Sequence, residues 1–422
     1  MKNDRNYKLL LTSQFISAFA DNSILGVIIG QLTYMQQRGE LTSDALRFRN
    51  SLYTLMIFIP PIFLSSVCGY LNDRYPKTSW LARGNLVKVV GAIFCLLSIW
   101  FGFWLQGVGY FIVGIGVSIY GPAKYGILPE ILPRERLVKA NGMVELLTLV
   151  AILTGGIAGA KLSDIFRDKI INSYLILLTL YGTSWALNFV MTPTPANKLI
   201  RFQSSTGEFF GHLVALFRQP RISRTLIGTA LFWVCGAMLK INFQPWGLEV
   251  LKFTTNTQIA ILGVWLSIGL MLGSVLAGMW FPIGDLRKTR LFLALLAVPV
   301  ATLYLVHTSE WWRTPVFEVA GIQIIVPVTL LLISAGVISG LFLIPLNAAL
   351  QDESDHTKLG KTIAVQNLND NLGMLLAGAM CAGAASLHLS SSDLFIVVAA
   401  LLLSVALVYR IPRKSVAPAQ IH

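Results

Sequence analysis

The sequence predicts an all-α membrane protein whose twelve transmembrane helices form two six-helix halves. Three observations lead there. Of 422 residues, 55% are hydrophobic and 13% charged, about half the charged share of a soluble domain, and the mean hydropathy is +0.67. The apolar residues gather into segments of roughly 20 residues or more, each long enough to cross a ~30 Å hydrocarbon layer as a helix. A single long polar connection, Thr192 to Arg224, divides those segments six and six.

In chain order the spans are expected at residues 9–35, 48–71, 79–105, 107–132, 137–162 and 170–192, then 223–250, 257–283, 288–307, 323–350, 361–386 and 392–410. Residues 1–192 make the amino-terminal half, 193–222 the linker and 223–422 the carboxy-terminal half. The start, MKNDRNYK, is basic. No small-residue cleavage site follows a short apolar core, so the first segment is expected to stay as a helix. Within the linker, FFGHLVALFRQPRISR can form a short amphipathic helix at the membrane surface. Cys68, Cys95, Cys235 and Cys381 all fall in apolar segments without paired spacing, which marks them as packing residues rather than disulfides or metal ligands.

The net charge of +13 admits nucleic acid or a membrane surface as a partner, and its distribution favours the membrane. An even number of spans puts both termini on one side, and 21 Lys and Arg lie on that side against eight on the other. The positive-inside rule therefore places both termini in the cytoplasm. Arg83, Lys88, Lys124 and Lys240 remain inside spans.

Intramembrane charges are costly, and they single out the functional candidates. Asp21, in FISAFADN, lies roughly 18 Å along the first helix from Leu9, near the centre of the slab. A charge there costs at least ~2.5–3.5 kcal/mol on insertion scales and usually faces a cavity or a partner. Asp21 is thus either a carboxylate neutralised inside the bundle or a contact for substrate or ion, with Asn22 beside it. Lys240 lies roughly 24 Å beyond Arg224, at a depth comparable to Asp21, so the two can clamp a zwitterion or form an internal salt bridge. Lys88, Lys124, Glu145 and Asp370 lie nearer the cytoplasmic ends. Lys88 and Lys124 are expected to bracket Glu145 in a network that knits helices. Gln366, Asn367, Asn369 and Asn371 give span 11 an amide-rich turn.

A loose internal repeat supports two similar halves. IGVSIYGPAKYGILPEIL followed by KANGMVELL returns as AGVISGLFLIPLNAAL followed by IAVQNLNDNLG. Pro122 matches Pro345, and Asn141 with Glu145 matches Gln366 or Asn367 with Asp370. Such repeats are common in transporters that work by alternating access. No P-loop or paired His-Glu metal motif occurs. His388-x-x-x-x-Asp393 has an acyltransferase spacing, but it falls in a short loop with no phosphate-binding context. Enzyme readings therefore fail.

Loop 2–3, GYLNDRYPK, resembles the signature loop of the major facilitator superfamily, Gly-x-Leu-x-Asp-Arg-x-Gly-Arg/Lys. Gly69, Leu71, Asp73, Arg74 and Lys77 match, and Pro76 replaces a glycine. Asp73 is expected to pair across to Arg134 or Arg136 and hold one conformer closed. The corresponding loop 8–9 is degenerate, with Asp285 and Arg287 displaced. Further blocks, FISAFADN, GNLVKVVGA, YGPAKYGIL, LVKANGMVE, GTALFW, FLIPLNAALQ and AVQNLNDN, are similar to the lysophospholipid transporters of Gram-negative inner membranes and run from Phe15 to Asn371.

The resemblance implies a monomeric inner-membrane flippase without cofactor. It would move lysophosphatidylethanolamine and related lysolipids to the inner leaflet, where an acyltransferase/acyl-carrier-protein synthetase reacylates them. It also implies that spans 1, 4, 7 and 10 line the path, bringing Asp21, Asn22, Lys124, Lys240 and Asn347 to it. The family favours Arg where Lys240 stands, and Lys lacks the bidentate fork. The acyl chain needs a lateral opening. Pro60 and Pro61 should kink span 2, while Gly373, Gly378 and Gly383 soften span 11. Gly155–Gly159 and Gly269–Gly273 are expected at the opposite seam. A proton-coupled symporter for a small amphiphile is the alternative, with Asp21, Glu145 or Asp370 as proton carrier. A non-transporting scaffold for a lipid acyltransferase is the alternative from another class.

The topology is directly testable. In intact spheroplasts an impermeant maleimide should label Asp168→Cys and leave Asn3→Cys and Ala417→Cys unlabelled until the membrane is opened. Labelling of Asn3→Cys from outside would reverse the orientation.

Overall fold

A computed structural model describes residues 2–133, 137–196, 202–282, 285–314, 317–319, 322–353 and 359–412. The first span is one long helix, α1 (Lys2–Gln37). The second is broken into α2 (Ser43–Met56) and α3 (Ile59–Arg74). Thr42 caps α2, its hydroxyl accepting the Ala45 N–H at 3.2 Å. The break falls at Ile57 and Phe58 because Pro60 and Pro61 lack the N–H groups that would continue α2, yet fit the first turn of a new helix. There follow α4 (Lys77–Phe101), α5 (Trp104–Gly126), the short α6 (Leu128–Ile131), α7 (Leu137–Ile165) and α8 (Ile171–Phe189). Gly102 ends α4 with φ of +105°, a conformation glycine adopts without strain.

The linker contains α9 (Phe202–Phe217). Beyond it lie α10 (Pro220–Glu249), α11 (Asn256–Trp280), α12 (Thr289–Tyr304), α13 (Val326–Glu353), α14 (Leu359–Ser386) and α15 (Asp393–Val408). Every expected span therefore has a helix or a broken helix in its place. Among the described residues seven helices are long and apolar enough to cross a membrane, and the bent pair over residues 43–72 makes an eighth. The expected start of span 10 at residue 323 is displaced. Residues Phe317–Val319 and Ile322–Ile324 pair instead as an antiparallel hairpin, Phe317 opposite Ile324, and the helix begins after it at Val326.

The residues cluster into two units. The first comprises residues 1–208, 253–261 and 378–388, and the second 209–252, 262–377 and 389–422. In the first, α4 runs along α5 and α8, while α1 runs along α7 and α8. These helices approach to backbone contact. A Cβ on Gly155 would lie 2.4 Å from the Phe19 carbonyl oxygen, and one on Gly159 2.2 Å from that of Ser23. In the second unit a Cβ on Gly269 or on Gly273 would lie 2.1 Å from the Ile333 or the Val337 carbonyl oxygen. Both small-xxx-small pairs thus seat helices within a unit, α7 on α1 and α11 on α13, instead of serving the seam position the spacing suggested. Spacing fixes which residues share a helix face, and the neighbour that face meets is a tertiary fact. Likewise α14 is unbroken at Gly373, which seats it against α10: a Cβ there would lie 2.9 Å from the Ala230 carbonyl oxygen.

Overpacking a tight contact costs about 1–3 kcal/mol or more. Gly273→Leu should therefore lower the unfolding temperature in detergent markedly. Gly278→Leu on the same helix, where a Cβ would meet nothing within 4 Å, should leave it nearly unchanged.

Candidate functional site

Three helices of the first unit bring polar side chains to one buried place. On α1, Ser13, Ser17 and Asp21 follow one another at four-residue intervals, so they share a face. On α4, Asn85 and Lys88 are a turn apart. On α8, Tyr181, Ser184 and Asn188 do the same. Lys88 Nζ donates to Asp21 Oδ2 at 2.6 Å and to Ser17 Oγ at 2.8 Å. The Tyr181 hydroxyl donates to Asp21 Oδ1 at 3.0 Å. Ser17 Oγ donates to Asn85 Oδ1 at 2.8 Å, and Asn85 Nδ2 reaches Ser184 Oγ at 2.7 Å and Asn188 Oδ1 at 2.6 Å. Asn188 Nδ2 in turn donates to Ser13 Oγ at 2.8 Å. On α5, the Tyr120 ring lies 5.1 Å from Lys88 Nζ.

Every member of this chain is buried, Asp21 being 9% exposed and Lys88 2%. A buried charge is tolerated when its partners satisfy it. Both carboxylate oxygens of Asp21 are bonded, and Lys88 has one anion, one hydroxyl and one ring face. Lys88 is thus paired with Asp21, a partner the sequence did not suggest; its expected bracketing of Glu145 involves a side chain outside the described residues. If span 3 begins at Lys77, Lys88 lies about 16 Å into its helix, level with Asp21 and deeper than its assigned layer.

Lys124 donates to Thr148 Oγ1 at 3.3 Å and lies 4.6 Å from the Tyr125 ring centre. Thr148 Oγ1 donates to Gln14 Oε1 at 3.0 Å. The side chains of Asp73 and Glu145, and the whole of Arg134 and Arg136, lie outside the described residues, as do their expected pairings. Around the signature loop, Arg74 Nη1 donates to the Tyr70 hydroxyl at 2.7 Å, and Lys77 forms an ion pair with Glu130 of α6. In the degenerate copy, Asp285 and Arg287 close on each other locally. The Arg287 backbone N–H and guanidinium both donate to Asp285 Oδ1 at 3.1 Å, which holds that carboxyl below its ordinary pKa.

The second unit supplies a different set. On α14, Asp370 accepts the Thr229 hydroxyl at 2.9 Å, and the Trp233 and Gln366 side chains face the same carboxylate. Gln366 Nε2 donates to Asn347 Oδ1 at 2.8 Å, joining α14 to α13. Asn367 is exposed, and Asn371 Nδ2 donates to the Asn367 carbonyl at 2.7 Å. In the first unit Asn22 Nδ2 similarly bonds its own helix, at the Ala18 carbonyl, 2.9 Å away.

Lys240 stands apart. Within its unit, among the described residues, no hydrogen bond or ion pair holds its ammonium. The residue is exposed. It is a cation near the middle of the otherwise apolar α10.

One site was missed in the sequence. At the end of α7, Asp164 accepts five hydrogen bonds. Oδ1 takes the Tyr34 hydroxyl at 2.6 Å, the Asn256 N–H at 2.9 Å and Asn256 Nδ2 at 3.1 Å. Oδ2 takes the Thr257 N–H at 2.8 Å and Thr257 Oγ1 at 2.6 Å. The carboxylate thus caps the first turn of α11, where free N–H groups and the helix dipole favour an anion. The four-residue run Thr254–Thr257, rich in capping residues, was the available signal.

Comparisons with known proteins agree with this architecture. The Major Facilitator Superfamily model matches residues 10–378. The chain is 32% identical to the lysophospholipid transporter LplT of Photorhabdus laumondii over 376 residues, which is 88% of this chain and 86% of that protein. It is 32% identical to LplT of Yersinia enterocolitica over 372 residues, 87% and 84% of the two chains. Among solved structures, a D-xylose–proton symporter superposes with a TM-score of 0.70 at 14% identity, covering 99% of this chain and 100% of the other. A POT family transporter superposes with a TM-score of 0.67 at 15% identity, covering 96% and 95%. At such identities the structures speak for the fold.

Removing one partner of a buried ion pair costs about 3–5 kcal/mol, whereas replacing both by apolar groups is often neutral. Asp21→Leu and Lys88→Met should each destabilise the protein strongly. The double variant should recover much of the loss in a thermal-unfolding cycle in detergent. Additive losses would show that the two residues do not act as a pair. In the same assay Asp164→Ala should lower the unfolding temperature, since it strands several α11 donors at once.

Proposed function

The chain belongs to the major facilitator superfamily and, within it, to the lysophospholipid transporters, and from that premise we propose that it carries lysophospholipids from the outer to the inner leaflet of the bacterial inner membrane. The lipid delivered there is reacylated by an acyltransferase/acyl-carrier-protein synthetase acting as functional partner. The chain works as a monomer with both termini in the cytoplasm. Its amino-terminal half, residues 1–192, and carboxy-terminal half, residues 223–422, alternate access across the linker.

The observation that carries the reading is Lys240. A lysophosphatidylethanolamine head group presents one phosphodiester anion and one ammonium. An exposed ammonium without a partner among the described residues, set within an apolar helix, supplies a charge complementary to the phosphate. Charge-assisted hydrogen bonds of this type are among the stronger ones. Asp21 is already neutralised by Lys88 and Tyr181, so its remaining attraction for a substrate ammonium is modest. In this reading Asn22, Asn347, Gln366, Asn367 and Asn371 offer neutral donors and acceptors to the rest of the head group. Asp73, Arg74, Lys88, Lys124, Arg134, Glu145 and Asp370 serve gating and helix-knitting. The break in the second span at Pro60 and Pro61 serves the lateral opening that the acyl chain needs.

Asp370 favours a second reading. It is 6% exposed, and the partners described above for its carboxylate are neutral donors. A carboxylate so placed can exchange a proton during a transport cycle, which would make the protein a proton-coupled symporter.

Reconstituted vesicles separate these readings. Labelled lysophosphatidylethanolamine should cross between leaflets, and Lys240→Gln should slow it about 10-fold or more, the loss expected for one charged hydrogen bond of ~1.5–3 kcal/mol. Unchanged transport in Lys240→Gln would remove the phosphate assignment. Strict dependence on an imposed pH gradient, abolished in Asp370→Asn, would establish the symporter.

A further inference from the structure

The linker helix α9 has more apolar surface than the protein covers. Its docked stripe is Phe209, Leu213 and Leu216, of which Leu216 is 3% exposed and packs with Ile222, Leu226, Leu350 and Val365. His212 Nε2 fixes the same face through a hydrogen bond of 3.0 Å with Thr362 Oγ1. Phe210, Val214 and Phe217 are 50%, 46% and 38% exposed. At 100° per residue these three fall within an arc of about 60° that directly borders the docked stripe. Glu208, Gly211, Ala215 and Arg218 occupy the remaining circumference, and all four are exposed.

The position of α9 decides what meets the uncovered wedge. Its docked face touches Ile222 and Leu226, in the first two turns of α10, together with Leu350 near the end of α13 and Val365 near the start of α14. It therefore lies beside the terminal turns of three spans rather than beyond them. Phe217 precedes Pro220, the first residue of α10, by three positions. Three extended residues reach at most about 11 Å, so this end of the wedge stays within that distance of the first residue of α10. Arg218 follows the wedge directly, on the side of the membrane that carries most of the chain's Lys and Arg.

We propose that α9 is a membrane-surface anchor: Phe210, Val214 and Phe217 insert into the interfacial layer of the leaflet on the linker side, and Arg218 meets its anionic lipid head groups. Through the docked stripe, α9 joins that leaflet to the ends of α10, α13 and α14. The inference depends on which side of α9 is covered and is independent of the transported substrate.

Nitroxide labels at Phe210→Cys, Val214→Cys, Phe217→Cys and Ala215→Cys test it in vesicles of phosphatidylethanolamine and phosphatidylglycerol. The native cysteines are buried, and the unsubstituted chain gives their background. Positions 210, 214 and 217 should be more accessible to oxygen than to a water-soluble nickel chelate, with the reverse at 215. On the unmodified chain, a diazirine delivered from the lipid phase should tag the peptides carrying Phe210 and Phe217. Equal aqueous exposure at all four positions, with no tagging, would overturn the proposal. So would shielding of 210, 214 and 217 from both quenchers, which would assign the wedge to a protein partner or a second copy.

Discussion

The buried ion pair between Asp21 and Lys88 is the constraint on which the amino-terminal unit depends. Neither charge could stay in an apolar interior alone. Together they require α1 and α4 to meet at one depth and rotation. Tyr181, Ser17, Asn85 and Asn188 then extend that requirement to α8. The pair and its polar chain act as a register pin between these three helices. Such networks cost stability relative to an ideal apolar core when incomplete and confer a unique arrangement when complete.

The same pairing changes what Asp21 means for transport. A carboxylate with both oxygens engaged has little left to attract a substrate ammonium, and for that reason the proposed phosphate contact is assigned to Lys240. Unlike Asp21, Lys240 is exposed and has no ion-pair partner in its own unit among the described residues.

The fold was legible because segment length and apolar content are local properties set by the thickness of a bilayer. The break at Pro60 and Pro61 was equally local, since a missing N–H acts on its own helix. Partnerships were less legible. Lys88 is 67 residues from Asp21, and its depth was reckoned from a span end at residue 79 when the helix starts at Lys77. The four-residue spacing of Ser13, Ser17 and Asp21, and the similar spacing on α8, carried a readable trace of the network. Which helix each face met was not encoded in spacing at all, and for that reason the glycine pairs of α7 and α11 were placed at the wrong contact. Asp164 was hidden for a related reason, because its ligands belong to a helix start 92 residues away.

The central claim is that Lys240 reads the phosphate. Binding of a lysophospholipid and of a monoacylglycerol with the same acyl chain, each titrated onto the detergent-solubilised protein by its intrinsic tryptophan fluorescence, tests it most directly. The account predicts that the phosphate-bearing lipid binds more tightly to the unsubstituted protein and that Lys240→Gln erases the difference. Equal affinity for both lipids, or a preference that survives in Lys240→Gln, would contradict it.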